Sequence, residues 1–315
     1  MMFDGEWLED PLNPGKSVFS VRSTSIPTLP KKSGKVKDVY DLGEHLLMVF
    51  TDRISAFDVI LQDLIPRKGE SLCVTSYVLL TSSSKVFPNH LIDLVDLNVL
   101  RVRKARRVDL EWVVRAYVYG SLWREYSKGR KEFWGFRLPD GLKQAQALPE
   151  PLVTPTTKSE RGHDVPITKR EAIESGILTG DEWKELEEAS IKLFEHYSGV
   201  FRRKGLLLAD AKFEFGRVEG CLVQIDDPPN FDSSRVWIAE LYEEGSSQVD
   251  ICLDKEFVRE ALRRTGLSGS SGARLPRGVV MEASRRAIYL LMILLGKLSP
   301  REVVLLPLEK AMLDD

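Results

Sequence analysis

The segment Leu208 to Gly216 reads LADAKFEFG and places two acids around a lysine at every second position. In a β-strand alternate side chains share a face. Asp210, Lys212 and Glu214 then point one way, and Ala209, Ala211, Phe213 and Phe215 point the other way, toward a core. Asp and Glu are poor strand formers, so the spacing favours a functional face over a solvated one. After a turn at residues 217–220 comes CLVQID, a second strand ending at Asp226. Pairing of the two strands is expected to bring Asp226 close to Asp210 and Glu214 on that face. Clustered carboxylate oxygens suit Mg2+, a hard cation that takes oxygen ligands and bridges phosphates. Lys212 among them could neutralise a second anion. A satisfied ladder of surface ion pairs is the alternative.

Other charged positions point to anion binding. Lys35 and Lys37 follow Gly34 and are expected on one strand face, where they could hold nucleotide phosphates. Two solvated lysines are the bland reading. Pro14-Gly15-Lys16-Ser17 looks like half of a phosphate-binding loop, but Asp10 stands where the first glycine belongs, which excludes it. Arg115 is the strong charge in an apolar and aromatic strand that runs into Gly120-Ser121 and a helix. A buried Arg needs a partner, and free N–H groups at a helix start can seat a phosphate. TPTTKSERGHD, at residues 154–164, is dense in donors and has no apolar anchor. Such a loop suits ligand capture. Arg235, Lys255 and Arg259 complete the set, the last two at i and i+4 on one helix face.

These residues need elements to hold them. Residues 1 to about 30 are rich in Pro, Ser and Gly and read as an extended arm. KVKDVYDL and HLLMVFT around Gly43 form a hairpin, residues 71–82 a helix, and residues 101–119 a strand. Residues 135–165 read as loop, with four prolines. Thr168 with Glu171, and Thr179 with Glu182, have capping-box spacing and open two helices. Asp254 caps a short helix, SGSSGAR is a flexible loop, and residues 278–297 form a terminal helix. Strands first, then helices mixed with strands, indicate an α+β fold.

Taken in order, GKVKDVYDL, TDRISAFDV, LEWVVRAYVYGSLWREY, TPTTKSERGHD, LADAKFEFG, DSSRVW and DKEFVREAL resemble the phosphoribosylaminoimidazole-succinocarboxamide synthase (SAICAR synthetase) family, from about Gly34 to Leu262. The resemblance implies a two-lobed α+β fold related to ATP-grasp and kinase-like architecture. Residues 1–110 would form a β-rich nucleotide-binding lobe with its N-terminal arm, and residues 111–315 a larger lobe for substrate and metal. It implies ATP, Mg2+, L-aspartate and carboxyaminoimidazole ribotide (CAIR), joined through an acyl phosphate. Lys35 and Lys37 would contact ATP phosphates beside Gly34, and Glu214 and Asp226 would bind magnesium. Arg115, Ser121, Asp210, Lys212, Arg235 and Arg259 would meet the ribotide, Lys255 its neighbourhood, and Lys212, Asp210 and Lys35 would act in catalysis. Asp58, Lys158, His163 and Asp164 fall near the substrates, the last three in a candidate loop for aspartate capture. The chain departs from the family pattern at Asp109, at Asp227 and at Asn230-Phe231.

Composition excludes several other classes. Basic and acidic residues number 45 and 47, so a net charge of -2 offers no bulk attraction to nucleic acid or to anionic membrane. The basic-aromatic stretch at residues 127–137 reads as a solvated helix end. The longest apolar run, Tyr289 to Leu295, is far short of the roughly 20 residues a membrane span needs. Three widely spaced cysteines argue for a reducing compartment and against a disulfide framework or structural zinc. The N-terminus carries early acids and no apolar core, unlike a leader peptide. The reading is therefore a cytoplasmic enzyme, monomer or homodimer, acting on small molecules. A small-molecule kinase on the same scaffold and a catalytically dead binding protein are its rivals.

Overall fold

A computed structural model describes residues 1–158 and 165–314. The chain begins with a hairpin, β1 (Met2–Glu9) and β2 (Ser17–Ser25), not the extended arm expected from composition. Alternation in VFSVRSTS supports pairing, and Asp10 organises the turn by accepting from the Leu12 amide and the Asn13 side chain. The hairpin is tied down where the Val21 amide donates to Asp52 and the Asp52 amide donates back to Val21.

Strands β3 (Lys31–Ser33), β4 (Lys37–Asp41) and β5 (His45–Phe50) follow. A small hairpin comes next, β6 (Arg53–Ala56) and β7 (Val59–Leu64). Helix α1 (Lys68–Ser83) leads to β8 (Leu91–Asp96) and β9 (Val99–Arg103). An antiparallel sheet forms in the order β3-β4-β5-β9-β8. The expected hairpin about Gly43 and the helix at 71–82 are therefore present.

The second sheet is built on β10 (Arg106–Tyr117), which continues into α2 (Gly120–Ser127). The short pair β11 (Glu132–Phe133) and β12 (Phe136–Arg137) comes next. Residues 147–157, expected as loop, form β13 (Ala147–Thr157). Pro149, Pro151 and Pro155 are tolerated there because β13 stands at the edge of its sheet, with β10 as its neighbour in the strand order. Helices α3 (Lys169–Glu174) and α4 (Gly180–Arg203) each open with the capping box that the Thr/Glu spacing indicates. Then come β14 (Leu206–Val218), β15 (Cys221–Ile225) and β16 (Ser234–Ile238), giving the order β13-β10-β14-β15 with β16 also on β14. Helices α5 (Glu256–Arg264), α6 (Arg277–Leu294) and the short α7 (Leu308–Ala311) complete the chain. The Asp254 carboxylate accepts from the Glu256 amide at the start of α5.

Helix α4 covers one face of this sheet. Trp183, Leu186, Leu193, Phe194, Tyr197 and Phe201 are all buried. Trp183 meets Trp112 of β10 at 4.8 Å between ring centres, and Tyr197 stacks on Phe213 of β14 at 6.1 Å. Burying large aromatic side chains at this face supplies much of the hydrophobic stabilisation. The two sheets are joined covalently at residues 104–105. They are also joined by a bridge between Asn89 and Gln224, where the His90 amide donates to the Gln224 carbonyl.

Gly69, in the first turn of α1, lies against the end of β5. A Cβ there would stand 2.6 Å from the Phe50 carbonyl oxygen, a backbone atom that cannot swing away. Gly69→Ala is expected to destabilise the protein by about 1–3 kcal/mol. Urea unfolding monitored by tryptophan fluorescence would measure this.

Candidate functional site

Opposite α4, the same sheet carries charge. The register pairs Glu111 with Glu214, Val113 with Lys212 and Arg115 with Asp210 across β10 and β14. Leu110, Trp112 and Val114 alternate into the core with Ala209, Ala211, Phe213 and Phe215, as the two-residue period requires. The polar face opens into two adjoining cavities, of about 440 Å³ and about 510 Å³. Lys35, Glu111, Lys212, Asp232 and Lys255 line both.

The first cavity is arginine-rich. Arg115, Ser121, Asp210, Arg235, Arg259 and Asp58 line it, together with Arg124 and Arg263. Arg235 bonds Asp210 at 2.5 Å and Glu256 at 3.1 Å, and Arg115 reaches Thr154 at 3.2 Å and Asp210 at 3.6 Å. Burial lowers the Arg115 pKa to about 10. Gly120 makes room for Arg235: its φ is +61°, and a Cβ would stand 2.4 Å from a guanidinium nitrogen. Asp58 and Phe57, both at positive φ, form the two-residue tip between β6 and β7, the backbone that such hairpins favour. Asp58 accepts from Lys35 at 2.6 Å.

The second cavity has an apolar side, with Val39, Leu46, Met48 and Ile225, and a charged end. At that end lie Gly34, Lys35, Lys37, Lys158, Lys212, Glu214 and Asp226. Only Lys37 sits in β4. The Gly34 amide donates to the Lys37 carbonyl at 2.7 Å, so Lys35 stands on a turn and the two lysines do not share a strand face. Lys37 bonds Asp226 and also Asp227, the latter at 2.8 Å. Burial opposes its charge, but Asp226 and Asp227 outweigh that and raise its pKa. Lys212 lies 2.7 Å from Glu111 and 2.9 Å from Glu214, and Lys158 bonds Glu214. Burial again opposes the Lys212 charge, and Glu214 and Glu111 hold it.

Asp226 is not placed by strand alternation. Ile225 is the residue opposite Glu214, so continued pairing would send Asp226 to the core face. Its φ of +59° turns the chain and delivers the carboxylate to the cavity. It bonds Lys37 there, whereas Asp210 pairs with arginines in the neighbouring cavity, so the expected approach of Asp226 to Asp210 does not occur. Lys158 is engaged with Glu214 and Glu111. His163 and Asp164 lie outside the described residues.

Sequence reasoning gave no site role to four contributors, Asp227 among them although it stood out as a departure from the family pattern. Glu111 was visible in the alternation of β10, two positions before Val113 and four before Arg115. Asp227 receives Lys37 and the Ser76 hydroxyl. Glu256 gathers Arg235, Arg259 and Arg263. His90 lines the second cavity as a neutral imidazole, its pKa lowered to about 4 chiefly by burial. Only their tertiary partners reveal the roles of Glu256 and His90. Of the departures, Asp109 is exposed beside Arg107, while Asn230 and Phe231 are buried and Asn230 accepts from the Asp232 and Ser233 amides.

Among the described residues no group of three or more His, Cys, Asp and Glu side chains is arranged to hold a metal ion. The oxygens of Glu214 and Asp226 do suit a hard cation that shares its sphere with phosphates, a mode needing only one or two carboxylates. The ammonium groups of Lys37, Lys158 and Lys212 lie against these acids, so a cation bound there would compete with these ion pairs for the carboxylate oxygens.

The SAICAR synthetase family model matches residues 31–274. The phosphoribosylaminoimidazole-succinocarboxamide synthase of Legionella pneumophila strain Paris is 42% identical over 248 residues, 76% of this chain and 79% of the relative. A SAICAR synthase from Saccharomyces cerevisiae, solved complexed with SAICAR, aligns with TM-score 0.77 and 33% identity over 88% of this chain and 98% of that one. A SAICAR synthetase solved in complex with ADP aligns with TM-score 0.66 and 26% identity over 85% of this chain and 98% of that one.

Glu256 offers a test of the charge network. Burial opposes its ionisation, but Arg235, Arg259 and Arg263 prevail and hold its pKa well below the usual carboxylate range. Its stabilising contribution is therefore complete above the unfolded-state pKa near 4.5 and is lost as pH falls through the lower folded value. Glu256→Gln is expected to cost on the order of 3 kcal/mol at pH 7. In urea titrations the difference from the parent protein should stay constant down to about pH 5 and narrow below it.

Proposed function

The chain belongs to the SAICAR synthetase family, and from that premise we propose how its own residues divide the reaction. The enzyme is an ATP-dependent, amide-forming ligase of purine biosynthesis that condenses L-aspartate with CAIR. In our reading the cavity with the apolar side takes ATP and the arginine-rich cavity takes the ribotide. The observation that carries this reading is their shared wall, where Lys35, Lys212 and Lys255 face both spaces.

A carboxylate is a poor acylating agent, because its leaving group would be oxide. Transfer of the ATP γ-phosphoryl group to the CAIR carboxylate makes an acyl phosphate, which the aspartate amine attacks with release of phosphate. The barrier is largely electrostatic, since a carboxylate must approach a polyphosphate. Lys35 and Lys37 would hold the phosphates, and Lys212 would screen the approaching carboxylate. Arg115, Ser121, Arg235 and Arg259 would grip the ribotide, with Ser121 and Arg259 at its phosphate. Asp210 would orient Arg235 and Arg115, to which it is bonded. Magnesium held by Glu214 and Asp226 would offset charge on the phosphates.

We further place the protein in the cytoplasm as a monomer or homodimer, with residues 1–110 as the nucleotide lobe and 111–315 as the substrate and metal lobe. Three free cysteines support a reducing compartment. No helix among the described residues is long and apolar enough to cross a membrane.

Two measurements test these assignments. ADP release should require both aspartate and CAIR and match SAICAR formation one to one. Full-rate release without aspartate would favour a kinase. Glu214→Gln should lower kcat by about 100-fold or more while leaving CAIR binding, followed by calorimetry, nearly unchanged. An unaltered kcat would remove Glu214 from the phosphoryl-transfer site.

A further inference from the structure

Lys68, in the first turn of α1, is buried without any exposed surface. A lysine in such a place requires compensation. Its ammonium donates to the Arg53 carbonyl at 2.9 Å and pairs with Asp232 at 2.8 Å. Lys68 lines neither cavity, whereas Asp232 lines both. The other oxygen of Asp232 lies 3.5 Å from Lys255, which also lines both cavities. The Lys255 amide donates to the Phe231 carbonyl at 2.9 Å, so backbone and side chain of this lysine are referred to the same short segment. That segment is itself fixed by Asn230, which accepts from the amides of Asp232 and Ser233. Lys68, Asp232 and Lys255 thus form a line from the protein interior to the boundary between the two cavities.

We propose that Lys68 is a positioning residue that acts through Asp232 to aim Lys255 at the junction where the phosphoryl group crosses. The proposal rests on the assignment of the two cavities to ATP and CAIR. A carboxylate gripped on one side by a fixed ammonium cannot follow a mobile partner. Lys255 is therefore held toward the shared wall rather than left to swing between phosphates. The charged groups that act most strongly on Lys255 are Asp232, Arg259 from the helix that Lys255 caps, Lys68 from α1 and Lys212 from β14. Burial lowers its pKa to about 8, Asp232 opposes the shift, and the three cations add to it. Activity that needs Lys255 charged is lost as pH rises through that value.

The variants Lys68→Met and Asp232→Asn test the link. Both are expected to lower kcat by about 10- to 100-fold through misplacement of Lys255, with a smaller effect on the KM for ATP. The descending limb of the kcat/KM profile should move in opposite directions. Lys68→Met removes a repelling cation and shifts it to higher pH, whereas Asp232→Asn removes the attracting anion and shifts it to lower pH. In a Lys255→Met background, Lys68→Met should cause little further loss. Additive losses, or limbs that stay in place or move together, would overturn the proposal. Should one variant lose its cooperative thermal transition, the other decides by the direction of its limb. Loss of folding in both would make Lys68 a structural residue and overturn the proposal as well. Full activity in Lys255→Met alone would instead break the cavity assignment on which the proposal rests.

Discussion

The architecture depends on burying two carboxylates opposite each other. Glu111 and Glu214 face one another across β10 and β14, both nearly inaccessible to water. Like charges directly opposite in a sheet are unfavourable, and desolvation makes each more costly. Lys212 bonds both, and Lys158 reaches both. The pair is tolerable only with these ammonium groups in place, so the strand register, the exit of β13 and the polar face form one electrostatic unit. The arginine-rich cavity and the cavity with the apolar side then meet along a shared wall of charged side chains.

The opposite face explains how the sheet can carry this load. Trp112, Phe213 and Phe215 are fully buried, and α4 covers them with Trp183, Phe194 and Tyr197. Repulsion on the cleft face would twist or slip an exposed two-stranded ribbon. A one-residue slip here would drive the charges into the aromatic core, so hydrophobic burial pins the register that places the charges. The same logic reaches the Tyr197 hydroxyl, which lies within hydrogen-bond reach of the Ser83 hydroxyl of α1, at 2.9 Å, and of the Gln224 amide oxygen of β15, at 3.1 Å. It joins the core to the segment that delivers Asp226.

Local features of the site were legible in the sequence, and those set by backbone geometry were not. The two-residue period of LADAKFEFG identified both faces of β14, and both capping boxes formed. The α+β class followed from the order of strands and helices. Asp226 illustrates the limit. Its carboxylate reaches the cleft through a left-handed backbone in a non-glycine residue, which strand alternation cannot reveal. Edge position was equally hidden, so three prolines disguised β13 as loop, and pairing with β2 was hidden by the composition of β1. Lys68 lay in plain view, but a lysine in a helix reads as solvated until its depth is known.

The ion pairs of the cleft also shape how it binds. Lys37 is held by Asp226 and Asp227, Lys35 by Asp58, and Arg235 by Asp210 and Glu256. Each of these cations already has a protein partner, which limits the cost of keeping so many charges out of water. An incoming phosphate must compete with those carboxylates. Affinity is reduced by that competition, but discrimination is increased. A ligand with the wrong charge or shape breaks protein ion pairs without replacing them, leaving buried groups unsatisfied at a cost of several kcal/mol. On the proposed assignment, negative charge presented to Lys35 and Lys37 on one side, and to Arg235 and Arg259 on the other, restores the balance. The resting network is therefore satisfied by the protein's own carboxylates, and on the proposed assignment each substrate must bring the negative charge that replaces the carboxylates it displaces.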